Sequence, residues 1–230
     1  MRLSGRTAVV TGANRGIGLE LCRQLGGEGA RVLLGLRHGG KETLEALSSE
    51  GYEVSLVPID TSDSDSIRSA LDKLSETRVD ILINNAAVLD RGSIFSLSDQ
   101  EVENVVRTNL LGPMLLAKNL GEGMRQRRWG RIVNVTSGMG AISRGLGGDS
   151  IAYRVTKLGI NGFTICFAEA LRGTGVLVNS VDPGWVRTSM GGSMAHRTPE
   201  EGARSILHAV LLPDHGPSGV FFRDGRKVDW

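Results

Sequence analysis

The stretch TAVVTGANRGIGLELCRQL, residues 7–25, decides the fold of this chain. An apolar, β-branched run is followed by a glycine-rich turn and then by leucines at helical spacing, which predicts a strand, a turn and a helix. Gly12, Gly16 and Gly18 have the spacing GxxxGxG, which departs from GxGxxG but keeps its tight turn and open helix N-terminus. Glycine also serves turn geometry alone, but an open N-terminus binds phosphate. The stretch therefore predicts a nucleotide-binding βα unit.

The end of the second apolar run, ARVLLGLRH at residues 30–38, indicates which nucleotide is bound. NAD sites of this kind place an acid there, against the ribose 2′-hydroxyl. This chain has Leu36 and Arg37 instead, and Arg15 lies in the glycine turn. Two guanidinium groups suit a 2′-phosphate by charge and geometry, although an arginine at a strand end is often only solvated surface. The sequence predicts NADP(H) in preference to NAD(H).

Tyr153 and Lys157 stand four residues apart in SIAYRVTKLGI, which has helical spacing, so their side chains are expected on one helix face. A free tyrosine keeps its proton to about pH 10, and a nearby cation lowers that pKa. The pair therefore predicts a proton donor to a substrate oxygen. The spacing alone is weak evidence, because it occurs by chance on solvated helices.

Ser137 ends GRIVNVTSG, a run that reads as a buried parallel strand. Ligands of open α/β sheets lie at the carboxyl ends of strands, where a hydroxyl can orient a carbonyl oxygen. Serine also ends strands as a turn former, and Ser143 and Ser150 are nearby rivals. The residues by themselves do not choose among the three.

Asn109 precedes Pro113 inside a helical pattern, and proline has no N–H to donate to the carbonyl four residues back. The Asn109 carbonyl is therefore expected to lack its helical donor, or the proline simply kinks the helix. Both interpretations are compatible.

Together these motifs resemble those of the short-chain dehydrogenase/reductase family, over essentially the whole chain. The resemblance implies a catalytic tetrad of Asn109, Ser137, Tyr153 and Lys157, in which Ser137 orients the carbonyl, Lys157 lowers the Tyr153 pKa and binds ribose, and Asn109 holds a water. The implied cofactor-binding residues are Gly12, Asn14, Arg15, Gly16, Ile17, Gly18, Arg37, Asp60, Asn85, Ala86, Tyr153, Lys157, Pro183, Gly184, Val186 and Thr188.

Within the family the chain is similar to the carbonyl reductases. The segments PGWVRT from Pro183, TPEEGA from Thr198 and GPSG from Gly216, together with Trp230, carry that likeness. One departure is Ala87, where the family has glycine; alanine is acceptable there if its φ is negative. Leu89, Met139, Trp185 and Met190 flank the motifs and are candidates for an apolar pocket wall, or equally for core positions.

The composition is ordinary for a globular protein, and 230 residues suffice for one sizeable α/β domain, taken as residues 1–230. We expect a doubly wound Rossmann fold with a mainly parallel sheet and helices on both faces. The net charge is +2, and the basic run RQRRWGR at residues 125–131 is read as a solvated helix end before a strand. No nucleic-acid partner is expected.

No apolar run is long enough to cross a bilayer, and the amino terminus passes almost at once into the first strand, so no membrane association and a cytoplasmic location are expected. Cys22 and Cys166 both read as core thiols, and the four histidines form no ligand cluster, so no metal is assigned.

The expected function is NADPH-dependent reduction of a small ketone or aldehyde, with Tyr153 as the general acid. The alternatives are an NAD-dependent secondary-alcohol dehydrogenase and a non-catalytic nucleotide-sensing regulator on the same fold. A homodimer or homotetramer is expected, because relatives pair through the helices that correspond here to about residues 99–127 and 152–172.

Overall fold

One eight-stranded sheet runs through the protein in the order β3-β2-β1-β4-β5-β6-β7-β8 in the computed structural model, which describes residues 1–230. The first seven strands are parallel, and only β8 is antiparallel to its neighbour β7. The strands are β1 (Thr7–Thr11), β2 (Arg31–Leu36), β3 (Val54–Pro58), β4 (Ile81–Asn84), β5 (Gly130–Val135), β6 (Val176–Val181), β7 (Phe221–Arg223) and β8 (Arg226–Lys227).

Seven α-helices connect these strands, and one of the connections is irregular. They are α1 (Gly16–Gly27), α2 (Lys41–Ser49), α3 (Ser64–Lys73), α4 (Asp99–Val106), α5 (Gly112–Gln126), α6 (Ile151–Ala170) and α7 (Pro199–Val210). A π-helical segment, Arg107–Leu111, joins α4 to α5. None of the helices combines the length and the apolar character needed to span a membrane.

The sheet has an apolar layer on each face, because side chains alternate along its strands. Val10 of β1 packs with α1 and α7 on one face, whereas its neighbour Val9 packs with α3 and α5 on the other. Helices therefore cover both faces, and the predicted doubly wound Rossmann fold with a mainly parallel sheet is confirmed.

The two cysteines differ. Cys22 is buried in the layer beneath α1, as predicted, but Cys166 is exposed, so the expectation of a core thiol there was wrong. Apolar residues of α6 occur on its exposed side as well as on its buried side, so apolar neighbours did not indicate burial. Cys166 lies on the exposed side.

The strands β2 and β3 lie on one side of β1, and the strands from β4 onward lie on its other side, so β1 pairs with both β2 and β4. In open parallel sheets the crevice at such a switch point, outside the carboxyl ends of the strands, is where ligands bind. The glycine turn, the Asn85-Ala86 pair, Ser137 and the segment from Pro183 each follow one of these strand ends, so the fold gathers these motifs along a single edge.

Candidate active site

The glycine turn after β1 is closely packed against the loop after β4. Gly12 has φ +68°, and a Cβ there would lie 3.1 Å from Ala86 Cα. A Cβ on Gly18 would come within 2.1 Å of the Gly12 carbonyl oxygen. Both glycines are thus required by geometry, and no side chain caps the start of α1. The first N–H groups of α1 are left for an anionic ligand.

Thr11 and Asn85 hold this turn in place. The Thr11 hydroxyl accepts hydrogen bonds of 3.0 Å from the backbone N–H groups of both Asn85 and Ala86. The Asn85 side chain in turn donates to the Thr11 carbonyl at 2.8 Å. The predicted cofactor residues Asn85 and Ala86 therefore lie directly against the turn, while Ala87 is not among the residues with positive φ.

Arg15, Arg37 and Asp60 form the polar end of the crevice. Arg15 is exposed in extended backbone immediately before α1, and the exposed Arg37 side chain follows β2. The Arg37 guanidinium lies 3.9 Å from the Asp60 carboxylate, which follows β3. That distance and the exposure of Arg37 make the ion pair weak. Neither arginine is fixed by a strong partner, so both are free to meet a phosphate.

Tyr153 and Lys157 lie on the buried side of α6, with exposures of 7% and 3%. Lys157 Nζ donates to the Val135 carbonyl at 2.7 Å and lies 5.4 Å from the centre of the Tyr153 ring. Burial lowers the pKa of Lys157 to about 8. Burial likewise raises the pKa of Tyr153 to about 12, an effect that the Ser137 hydroxyl opposes and the Asp182 carboxylate increases.

The predicted lowering of the Tyr153 pKa by Lys157 was therefore wrong for the protein on its own. Both groups are taken out of water, and the loss of hydration disfavours the phenolate and the ammonium alike. A phenol with this pKa keeps its proton at neutral pH. Burial by itself makes this phenol a weaker acid than an ordinary tyrosine.

Ser137 follows β5, and its hydroxyl oxygen accepts a hydrogen bond of 3.1 Å from the Met139 backbone N–H. That bond fixes the rotamer, and hydrogen bonding by the Ser137 side chain opposes the rise in the Tyr153 pKa. The rivals lie elsewhere: Ser143 is exposed and donates to the Asp229 carbonyl, and Ser150 donates to the Asp90 carbonyl.

Asn109 lies in the π-helical segment, where Gly112 N–H bonds the carbonyl of Arg107 five residues back. Its side chain is held on both sides, accepting from Val88 N–H and donating to the Val88 carbonyl, each at 2.8 Å. It also donates to the Thr156 hydroxyl at 3.2 Å, which ties it to α6. The expected irregularity before Pro113 is present as this widened turn, a feature that often marks functional sites.

Two site carboxylates were missed by the sequence analysis. Asp90, in the loop after β4, accepts from the Tyr153 backbone N–H at 2.8 Å and so caps α6. Asp182 is buried at the end of β6 and accepts from Gly184 N–H at 2.8 Å. The only signal for Asp182 was an acid ending the apolar run VLVNSV, and Asp90 had none.

The segment from Pro183 to Thr188 joins the glycine turn to the catalytic side. Gly184 has φ +79°, and Val186 is buried. A Cβ on Gly16 would lie 2.9 Å from Thr188 Cγ2, so the two motifs are in contact across the crevice. Trp185 is 50% exposed, and its indole N–H donates to the Gly191 carbonyl at 2.8 Å.

The remaining predicted cofactor residues also lie along this edge. Asn14 is exposed in the turn, Ile17 is half-buried in the first turn of α1, and Pro183 is buried after β6. Leu89, Met139 and Met190 are half-buried around the crevice. The structure contains no cluster of His, Cys, Asp and Glu side chains able to hold a metal ion.

A family model described as short chain dehydrogenase matches residues 6–199. The chain belongs to the short-chain dehydrogenase/reductase family. Carbonyl reductase [NADPH] 1 of Sus scrofa is 31% identical, over 100% of this chain and 96% of that protein, so this member is carbonyl reductase-like.

Two solved structures share the architecture of this family member. The NADPH-bound carbonyl reductase from chicken fatty liver has a TM-score of 0.87 and 27% identity, and covers 99% of this chain and 100% of its own. A metagenomic short-chain oxidoreductase in complex with NADP has a TM-score of 0.82 and 33% identity, covering 97% of this chain and 98% of its own. The chain is thus an oxidoreductase of this family.

Proposed function

We propose that this short-chain dehydrogenase/reductase is an NADPH-dependent carbonyl reductase that reduces a small ketone or aldehyde. The observation that carries the proposal is the placement of a protonated, buried phenol beside a fixed serine hydroxyl, across the crevice from a glycine turn that can hold a dinucleotide. The carbonyl reductase relative and the NADP-bound neighbours support it.

The residues fit a dinucleotide. The absent Cβ atoms of Gly12 and Gly18 leave room for close backbone approach, and the uncapped start of α1 offers N–H groups to a pyrophosphate. Arg15 and Arg37 would hold a 2′-phosphate, while Val186 and Thr188 would lie near the nicotinamide. When bound, the dinucleotide supplies the hydride.

The chain's own residues supply positioning and the proton. Ser137 donates a hydrogen bond to the carbonyl oxygen, and Tyr153 transfers its phenolic proton to the oxygen as negative charge develops there. Lys157 Nζ lies 5.4 Å from the centre of the Tyr153 ring, and its positive charge offsets part of the cost of burying the phenolate that remains. Asn109 fixes the junction of the loop after β4 with α6, and so fixes the distance between these groups.

Two further assignments belong to the proposal. The chain forms a homodimer or homotetramer through the region from α4 to α5 and through α6. Val106 of α4, Leu111 of the π-helical segment, and Val155 and Ile165 of α6 are exposed there. The whole of residues 1–230 forms one domain, since the cofactor and catalytic motifs lie on the same sheet. Light scattering of the purified protein tests the first of these.

The experiment that tests the function is reduction of a panel of ketones, aldehydes and quinones with NADPH and, separately, with NADH. Turnover with NADPH, at much higher kcat/KM than with NADH, is the expected result. Turnover confined to NADH and favouring alcohol oxidation would instead identify an NAD-dependent alcohol dehydrogenase. Tight NADPH binding with no turnover would favour a nucleotide-sensing protein.

A further inference from the structure

Asp182 is shared by two arginines from different parts of the chain. Its Oδ2 lies 3.4 Å from Arg223 Nη1, on β7, and 3.6 Å from Arg144 Nη1, in the segment that joins Ser137 to α6. Its Oδ1 is already engaged by the Gly184 N–H. One carboxylate oxygen therefore faces two guanidinium groups, and this Arg144–Asp182–Arg223 cluster has a net charge of +1.

Arg144 is the member of the cluster whose N–H groups remain available to a ligand. Its guanidinium donates no hydrogen bond within the protein, and its side chain is 40% exposed, whereas that of Asp182 is 4% exposed. The neighbouring pair of Arg197 and Asp224, at 2.6 Å, is balanced and does not neutralise it. A main-chain carboxylate oxygen of Trp230 accepts from the Ser143 N–H at 2.8 Å, and this carboxylate forms no ion pair with Arg144.

The Arg144 guanidinium packs against the residue that follows Ser137. A Cβ built on Gly138, the residue after Ser137, would come within 2.5 Å of Arg144 Nη1, so the guanidinium rests directly on the backbone at Gly138. Adjacent Cα atoms are about 3.8 Å apart, which places this charge a few bond lengths from the serine that would hold the carbonyl.

We infer that Arg144 recognises a carboxylate on the substrate, so that the enzyme prefers short oxo acids over neutral ketones. The inference rests on the proposed function, and it adds the substrate class. A carboxylate accepts two parallel hydrogen bonds from a guanidinium, and Arg144 has the donors for them. The carboxylate completes the charge balance of the cluster, with two cations facing two anions.

The test uses two matched pairs of substrates: phenylglyoxylate with phenylglyoxylamide, and 3-benzoylpropionate with its amide. The acid and the amide of each pair differ chiefly in charge. The two pairs differ in the distance between the ketone and the carboxylate. The readout is the ratio of kcat/KM for the acid to that for the amide. We expect the wild type to favour the acid in at least one pair, and R144Q to lower that ratio by about tenfold or more.

Two more variants separate recognition from structural support. R144K keeps the positive charge but lacks the two parallel N–H donors of a guanidinium, so it retains part of the preference for the acid over the amide. D182N removes the anion that competes for Arg144, so the acid-to-amide ratio rises. Equal losses for acid and amide in R144Q would assign Arg144 a purely structural role and overturn the inference, as would a wild type that favours both amides.

The outcomes also distinguish this inference from the proposed function. Turnover of neutral ketones without preference for acids leaves the reductase in place and refutes the role of Arg144. If no carbonyl compound is reduced, calorimetric titration of phenylglyoxylate into the protein with NADP⁺ decides: weaker binding to R144Q than to wild type supports the carboxylate site, and equal or absent binding refutes it.

Discussion

The carboxylate of Asp90 accepts a hydrogen bond of 2.8 Å from the backbone N–H of Tyr153, 63 positions further along the chain. The loop after β4 thereby caps the helix that carries the phenol, and the Ser150 hydroxyl adds a second bond, 2.7 Å long, to the Asp90 carbonyl. The depth and direction of Tyr153 are thus set by a residue outside the catalytic motifs.

Replacing Asp90 with alanine is expected to lower the free energy of unfolding by about 1 kcal/mol, the usual cost of losing a helix cap. Because the start of α6 is then less well fixed, kcat falls several-fold while KM for NADPH stays near its wild-type value. D90N keeps a side-chain oxygen that can accept from the Tyr153 N–H. Because Asp90 Oδ2 has no hydrogen-bond partner, replacing it with an amide nitrogen breaks no bond, so D90N keeps most of the stability and most of kcat.

The matched control is D149A, which removes an exposed carboxylate close to the same end of α6. It tests whether charge near the helix start, rather than the cap itself, is responsible. Urea denaturation and steady-state kinetics measure both effects. A D149A variant as impaired as D90A would rule out the positioning role.

Arg37 is expected to set the cofactor preference. R37A weakens binding of NADPH by about ten- to a hundredfold, the usual value of a hydrogen bond to a charged group, and leaves NADH within a few-fold of wild type. Fluorescence titration measures both dissociation constants. R31A, at the opposite end of β2 where Arg31 pairs with Glu53 at 3.5 Å, should change neither. Equal losses for the two cofactors in R37A would remove the basis for the preference.

The buried ammonium of Lys157 predicts how stability depends on pH. Its pKa is about 8 in the folded protein against 10.5 for an ordinary lysine, so between these values the unfolded chain binds more protons. Unfolding free energy therefore rises with pH in that window, by up to about 1.4 kcal/mol per unit. Above about pH 9 the Cys22 thiol, whose pKa burial raises to about 12, acts in the opposite direction.

Between about pH 8 and pH 9 the effect of Lys157 is therefore separate from that of Cys22. The free energy of unfolding in this range is measured by urea denaturation of the protein without nucleotide. K157M should lack the rise. A variant with the same slope as the wild type would show that another group titrates there.

Gly18 is expected to tolerate no side chain. In G18A the new Cβ would collide with the Gly12 carbonyl, so the turn must shift, which costs about 1–3 kcal/mol of stability and abolishes dinucleotide binding. G27A is the control in the same helix, since a Cβ there meets nothing within 4 Å. It should raise stability by about 0.5–1 kcal/mol and leave binding intact. Dinucleotide binding by G18A at wild-type affinity would contradict the tight packing of the turn.

Much of this architecture is predictable from the sequence, because each motif is local. The run of residues 7–25 specifies strand, turn and helix through periodicity and glycine spacing alone. Parallel strand ends necessarily share one edge of the sheet, so Ser137 and the segment from Pro183 to Thr188 fall on the same side as the turn.

Other features depend on contacts between distant segments. The cap from Asp90 and the sharing of Asp182 by Arg144 and Arg223 join residues with no common pattern in the chain. The direction of the shift in the Tyr153 pKa was likewise unpredictable. It depends on how far burial removes Tyr153 and Lys157 from water, and not on their spacing in the sequence.

The most direct test of the account compares NADPH oxidation by wild type, Y153F and Y52F with a carbonyl substrate that the wild type reduces. Tyr52 is the only other tyrosine, and it packs against the apolar layer beneath α1, remote from the crevice. The account predicts that Y52F retains wild-type turnover, and that Y153F binds NADPH but loses turnover by several orders of magnitude. A Y153F enzyme with kcat close to that of Y52F would show that the proton comes from elsewhere, and would contradict the proposed mechanism.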